Sequence, residues 1–322
     1  MKKLVMAVLI LSMVCSMAFA GGQRGRDDGA KRVAFIARAQ GDSFAAWLAN
    51  SIMAEAERYP DITVTVMDGQ ANDDRVNTLI ENSITNRFDL IILQPNNGVA
   101  QTPFIRRVVD AGIPIILTNP RVPGLEGITH SVDADPYEQA AVNCRLALTQ
   151  VPQNAQVVIL TGPAGNMHSV ERRRAWQQEF LDKRPDVRIV GEQIANWNKD
   201  EAMRFMEDWV QAHDRIDAVI SMNDNMAAGA IEVIRGNPRF SNLLVYGVDG
   251  TAEAALLIQE GLLTSTSFQN AYELARTSMS LANDILHGNT TRLVNTDIDC
   301  PLITSNNVNL LFDAHRATGA LR

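Results

Sequence analysis

Short apolar runs rich in Val and Ile alternate along this chain with longer stretches at helical spacing, and that alternation restricts the fold more than any other feature. Residues 33–37, 62–67, 90–93 and 113–117 are runs of the kind that suits strands buried on both faces, separated by helical spacing over 44–58, 73–86 and 103–111. The rhythm repeats with apolar runs at 157–160, 187–194, 218–220 and 243–248, and helices predicted over 169–183, 200–213, 225–235 and 251–260. Strand, helix, strand with short connections means right-handed crossovers and a parallel sheet covered on both faces. The prediction is an α/β chain of two doubly wound parallel-sheet lobes, one per half. A third section, 262–268, 272–286 and 296–304, does not fill another domain and is expected to cross back between the lobes and complete both.

Open parallel sheets bind ligands outside the carboxyl ends of their strands. Two sheets facing each other at those ends make a cleft, so the residues just after each run are the candidates. Arg38-Ala39-Gln40-Gly41-Asp42-Ser43-Phe44 follow the first run, Gln94-Pro95-Asn96-Asn97 the third and Thr118-Asn119-Pro120-Arg121 the fourth. In the second half they are Thr161-Gly162-Pro163-Ala164-Gly165, Asn223-Asp224 and Asp249-Gly250-Thr251. These ends deliver amide, carboxylate, guanidinium and aromatic groups toward one place.

Residues 1–20 combine Lys2-Lys3, an apolar run to Cys15 and Ala18-Phe19-Ala20, the pattern of a cleaved signal peptide; the run is short for a membrane span. Cys15 as a lipid attachment site is the lesser alternative, because Leu11-Ser12-Met13-Val14 lacks the small residue usual beside such a cysteine. Residues 21–30 read as a flexible leader. Cleavage removes two lysines and no acid, taking the formal charge from −8 to −10, which argues against nucleic acid as a partner. The remaining 302 residues exceed one hydrophobic core, and two domains are expected. Cys144 and Cys300 are expected as buried free thiols, with pairing the alternative.

Asp133-Ala134-Asp135 has no histidine at ligand spacing and is expected to cap a helix beginning at Pro136-Tyr137-Glu138. Gly162-Pro163-Ala164-Gly165 lacks the Lys-Ser/Thr of a phosphate loop, and no G-x-S-x-G elbow or H-E-x-x-H helix occurs. No metal, cofactor or catalytic residue is predicted. Trp47 and Trp209 lie at helical spacing and are expected in the core.

The chain resembles the ribose-type periplasmic sugar-binding proteins from about Lys31 to Thr304. The segments that carry the likeness most strongly are Ser221-Met222-Asn223-Asp224-Asn225-Met226-Ala227-Ala228-Gly229-Ala230 and Tyr246-Gly247-Val248-Asp249-Gly250-Thr251, with Ala111-Gly112-Ile113-Pro114-Ile115 and Glu171-Arg172-Arg173-Arg174-Ala175-Trp176 also in register. The resemblance implies a type I periplasmic-binding fold with a three-strand hinge. Its lobes would be 31–133 plus 270–298 and 134–269 plus 299–322. It also assigns ligand contacts to Asp42, Phe44, Gln94, Arg172, Trp197, Asn223, Asp249 and Gln269.

These types suit a sugar: Asp249 can accept from two adjacent hydroxyls, Arg172 can donate a fork, and Phe44 and Trp197 offer flat apolar faces. From the residues alone, Asp249 reads first as a turn or cap residue, and Asp224 could cap the helix while Asn223 only shapes the turn. Where the family usually carries Asp-Arg, this chain has Asn119-Pro120, with Arg121 one step later. Asn119 thus holds a contact position with changed chemistry, and pentose, hexose, polyol, furanosyl signal and nucleoside all remain open.

The resemblance implies a monomeric solute-binding protein, periplasmic or otherwise extracytoplasmic, that delivers a small polar ligand, such as a monosaccharide, to an ABC importer permease. A role in signalling to a chemoreceptor or sensor kinase is compatible with it. A regulator of the lactose-repressor type would carry a basic helix-turn-helix in front, where a signal peptide stands instead. An exported sugar or nucleoside hydrolase would need paired carboxylates at catalytic separation, and nothing marks Asp42 and Asp249 as such a pair.

Overall fold

The computed structural model describes residues 29–321; the expected signal peptide and residues 21–28 of the leader lie outside them. Twelve strands form two sheets of six among the described residues. The first contains β1 (Lys31–Ala37), β2 (Ile62–Asp68), β3 (Leu90–Leu93), β4 (Ile115–Thr118), β5 (His130–Asp133) and β11 (Asn295–Asp297), in the order β11-β5-β4-β3-β1-β2. The second contains β6 (Gln156–Thr161), β7 (Arg188–Ile194), β8 (Ala218–Ser221), β9 (Leu244–Asp249), β10 (Ser265–Phe268) and β12 (Leu302–Ile303), in the order β12-β10-β9-β8-β6-β7. Every pairing is parallel except β10 with β12. The two doubly wound lobes expected from the alternation are present.

Helices α1 (Ser43–Ala56), α2 (Asp73–Thr85) and α3 (Gly98–Asp110) cover the first sheet, joined by α9 (Ala271–Leu286) from the far end of the chain. The second sheet carries α4 (Pro136–Gln150), α5 (Met167–Ala175), α6 (Lys199–Ala212), α7 (Asp224–Ile234), α8 (Ala252–Gln259) and α10 (Asn309–Ala317). Central strands β3, β4 and β8 are buried at every position, as their unbroken apolar runs require.

Several boundaries differ from expectation for local reasons. The run at 113–117 becomes strand only at Ile115, because Gly112 is in a left-handed turn (φ 72°) and Pro114 has no N–H to give. The helix expected from Pro103 starts five residues earlier, where the Asn97 side chain accepts from the Val99 and Ala100 amides. Pro103 then lies inside the helix and forfeits one bond, to the carbonyl of Val99 in the exposed first turn. The helix expected over 169–183 leaves α geometry at Trp176, continuing as a π turn to Phe180 and a 3-10 turn to Lys183. The third section does cross back and complete both lobes as expected, residues 296–304 contributing to β11 and β12 of different sheets.

The chain passes between the sheets three times, from β5 to α4, from β10 to α9 and from β11 to β12. Beside the second of these crossings, Trp47 on α1 packs into the cores of both lobes. It stacks on Phe268 (centroids 6.3 Å apart), lies edge-on to Phe44 and Tyr272, and sits 4.8 Å from the ring of His315. Trp209 is buried in the second lobe alone. Cys144 and Cys300 are buried and unpaired.

Candidate functional site

The carboxyl ends of β1 and β4 face those of β6, β7, β8, β9 and β10 across a cleft that encloses about 20 Å³, room for a single water. A ring of monosaccharide size therefore enters only if the lobes part or polar side chains swing. A larger cavity of about 910 Å³ lies beyond Trp47, but helix faces line it, without the converging strand ends.

From the first lobe come Arg38, Asp42, Phe44, Asn119 and Pro120. Asp42 caps α1, its Oδ1 accepting from the Ala45 amide (2.8 Å) and pairing with Arg38 (3.0 Å); its Oδ2 is buried without a partner. Asn119 has φ 45°, precedes a cis bond to Pro120, and leaves its buried Oδ1 unpartnered. Arg121, one step on, leaves the cleft and pairs with Asp297.

From the second lobe come Asn166, His168, Arg172, Trp197, Asn223, Asp249 and Gln269. Trp197 holds a left-handed backbone (φ 61°), its carbonyl accepting from Asn225 Nδ2 (2.8 Å). Its indole lies against Gly162, where any side chain would collide with it, and the Arg172 guanidinium carbon is 5.5 Å from its ring centroid. Trp197 thus lines the cleft while belonging to the core of its lobe.

Asn223 is the cap of α7, its Oδ1 accepting from the Met226 amide (2.9 Å), so the capping role considered for Asp224 falls to its neighbour. Asp224 instead braces the next strand end. It accepts from the Gly250 amide (2.7 Å), the Thr251 amide (2.9 Å) and the Thr266 hydroxyl (2.7 Å). Burial pushes its carboxyl up to about 7 against those three donors. Asp249 ends β9 at φ 126° with its Oδ2 buried and unpartnered. Burial raises this carboxyl well above the usual range, while Arg172, 3.7 Å away, opposes the shift.

Two residues behave otherwise than the sequence suggests. Gln94 is fully buried and outside the cavity lining; its Oε1 accepts from the Arg38 amide (3.1 Å), so it shapes the strand end behind Arg38. Arg172 lines the cleft, yet its fork is directed at protein. Nε donates to Gln139 Oε1 (2.8 Å), Nη1 to the Met222 carbonyl (2.6 Å), and Nη2 to His168 Nδ1 (3.1 Å) and Gln269 Oε1 (2.8 Å). Of the five guanidinium N–H groups one remains.

The sequence reading did not select Arg38, Asn166 or His168 as contacts. Arg38 and Asp42 are an opposite-charge pair four residues apart, and His168 stands one helical turn before Arg172; both spacings were legible. Gln139 carries no such signal, since only the fold brings it to Gln269, 130 positions away. Of the acidic pair considered for capping, Asp135 caps α4, and Asp133 instead ends β5 beside His168 (3.3 Å). Among the described residues no group of three His, Cys, Asp or Glu could hold a metal ion, and no helix is long and apolar enough to cross a membrane.

Two parallel-sheet lobes joined by three crossings, with polar strand ends turned into one cleft, define a protein that closes around a small polar solute. The chain belongs to the family of the periplasmic binding protein domain, whose model matches residues 33–290. It is similar to the ribose import binding protein of Bacillus subtilis, with 25% identity over 309 residues, 94% of this chain and 98% of that one. It is also similar to the xylitol-binding protein of Mycolicibacterium smegmatis, with 26% identity over 239 residues, 73% and 66% of the two chains. Among solved structures, an ABC transporter solute binding protein from Bacillus halodurans with bound myo-inositol superposes with a TM-score of 0.82 at 27% identity, covering 90% of this chain and all of that one.

Proposed function

We propose that this chain is an extracytoplasmic solute-binding protein that captures an uncharged polyhydroxylated molecule of monosaccharide size between its lobes and delivers it to an ABC importer. The observation that carries this reading is a set of three buried oxygens without partners, Asp42 Oδ2 and Asn119 Oδ1 from one lobe and Asp249 Oδ2 from the other. Each unsatisfied acceptor costs about 1–3 kcal/mol, and a ligand rich in hydroxyls supplies donors to all three at once. Arg38 is paired with Asp42, and Arg172 gives four of its five N–H groups to protein, so neither offers a free cation to a sugar acid or phosphate, which favours a neutral ligand.

Ligand contacts fall to Asp42, Phe44, Asn119, Trp197, Asn223 and Asp249, with Arg172 and Gln269 mainly holding the frame. Contact with both lobes favours the closed form by differential affinity. The relatives whose names give ribose, xylitol and myo-inositol support a pentose, linear polyol or cyclitol as the class. Export through residues 1–20 and a monomer with lobes 31–133 plus 270–298 and 134–269 plus 299–322 complete the proposal, and the ligand leaves chemically unchanged.

A thermal-shift screen over pentoses, hexoses, linear polyols and cyclitols tests it, because a ligand that binds only the folded form raises the midpoint. In calorimetry with the compound so found, Asp249→Ala should weaken binding by about 1–3 kcal/mol, roughly 5- to 150-fold. A folded protein whose midpoint none of these compounds moves refutes the reading.

A further inference from the structure

The cleft contains a contact between the lobes that passes through no ligand. His168, on α5 of the second lobe, is buried, and its ring stands between Asp133 at the end of β5 in the first lobe and Arg172 one turn along its own helix. Arg172 can only donate, so His168 Nδ1 is the acceptor of the 3.1 Å bond from Nη2. The ring proton then sits on Nε2 and points at Asp133 Oδ1, 3.3 Å away. A second bond between the lobes, from Asn166 Nδ2 to the Asn96 carbonyl (3.0 Å), lies on the same side.

Both partners of the ring are braced against the crossings. The Asp133 side chain accepts from the Ala134 and Arg121 amides (2.9 Å each), and its carbonyl accepts from the Ile298 amide (2.7 Å) in the third crossing. On the other side Arg172 holds Gln139 and Gln269, Gln139 donates to Gln269, and Gln269 lies in the second crossing. A chain of buried polar groups thus runs from the first crossing through His168 and Arg172 to the second.

We propose that His168 is a positioning residue: its bond to Asp133 latches the two lobes directly, and its bond from Arg172 helps fix that arginine in the frame it makes with Gln139, Gln269 and the Met222 carbonyl at the cleft wall. The proposal rests on the binding reading for the purpose of the arginine, whereas the latch itself acts in the free protein. The latch thus favours the closed form of the free protein by an amount that His168 sets.

The test needs no ligand. Spin labels go on V99C and I194C, exposed positions in the first and second lobes, and pulsed dipolar spectroscopy gives the distance distribution of the free protein. Cys144 and Cys300 are buried and escape the label, and the chain used begins after residue 20, without Cys15. The expected result is a short-distance population in the otherwise wild-type chain, reduced about tenfold by His168→Ala, which corresponds to about 1.4 kcal/mol. Asp133→Ala, which removes the acceptor, should reduce it similarly, with no further loss in the double variant. His168→Gln, whose amide offers one acceptor and one donor at similar spacing, should restore it.

Repeating the measurement with myo-inositol and with ribose separates the two ideas. If the free-protein pattern holds while neither compound adds to the short distance, the latch stands and those ligands are wrong. If His168→Ala leaves the distribution of the free protein unchanged, if the two single variants add, or if the free wild-type chain shows no short distance, the latch is refuted whatever the ligand.

Discussion

Gly162→Ala adds one methyl group at the end of β6, outside any ligand contact, and should disable the cleft through Trp197. A β-carbon built at Gly162 falls closer than 3.0 Å to three atoms of the indole, Cζ2, Cε2 and Cη2, an approach that real β-carbons essentially never make. The ring cannot slide away easily. Its carbonyl is tied to Asn225, its φ is already 61°, and only 5% of the residue is exposed. Overpacking of this kind costs about 1–3 kcal/mol. For a lobe of this size each kcal/mol lowers the melting midpoint by roughly 2–4 °C.

The displaced indole is also the wall over which Arg172 lies, so affinity for the compound returned by the screen should fall about tenfold or more. Scanning calorimetry and titration calorimetry read the two effects. The decisive comparison is with Trp197→Ala, which removes the obstacle. In that background Gly162→Ala should become nearly neutral, a coupling that the double-mutant cycle measures. Additive costs would refute the claim that the glycine is there for the tryptophan.

Arg121→Ala should leave affinity within twofold of wild type, because Arg121 pairs with Asp297 outside the cleft; a large loss measured by calorimetry would put the arginine back in the site. Burial holds His168 below its ordinary 6.5, with Arg172 and Arg38 adding to that and Asp133 opposing it. Its contribution to stability is therefore whole above about pH 6.5 and is lost as pH falls, by up to about 1.4 kcal/mol per unit. The midpoint of wild type relative to that of His168→Gln should accordingly fall between about pH 7 and pH 5; a relative midpoint that rises on acidification contradicts the assigned protonation. Burial raises both thiols, Cys300 to about 12, so a thiol reagent at pH 8 should label neither until the chain unfolds, and prompt labelling of the native protein would contradict their burial.

The sequence showed the lobes because buried parallel strands are written as unbroken runs; β3 is bounded as expected at Leu90 and Leu93. It was weaker where an element is amphipathic and short. Helix α10 buries only Leu311, Phe312 and His315 and begins without a side-chain cap, so nothing marked it, although His315 holds the Gly250 carbonyl (2.8 Å) beside the cleft. Strand β5 opens with His130 and Ser131 and offers a single branched apolar residue, Val132, too little periodicity to be noticed. Within the site, residue types at strand ends were legible and bonding partners were not. Whether Arg172 donates to a ligand or to Gln139, Gln269 and Met222 depends on three distant segments meeting, and no local spacing encodes that.

Because the Trp47 indole packs into the cores of both lobes, shutting the cleft removes hydrocarbon from water as well as satisfying hydroxyl groups. Burial of apolar area lowers the heat capacity, and its driving force fades on cooling. The conformational balance of this protein is thereby tied to temperature: chilling should tilt the free molecule toward its open shape, and the affinity it shows should follow a curved rather than linear course as it warms.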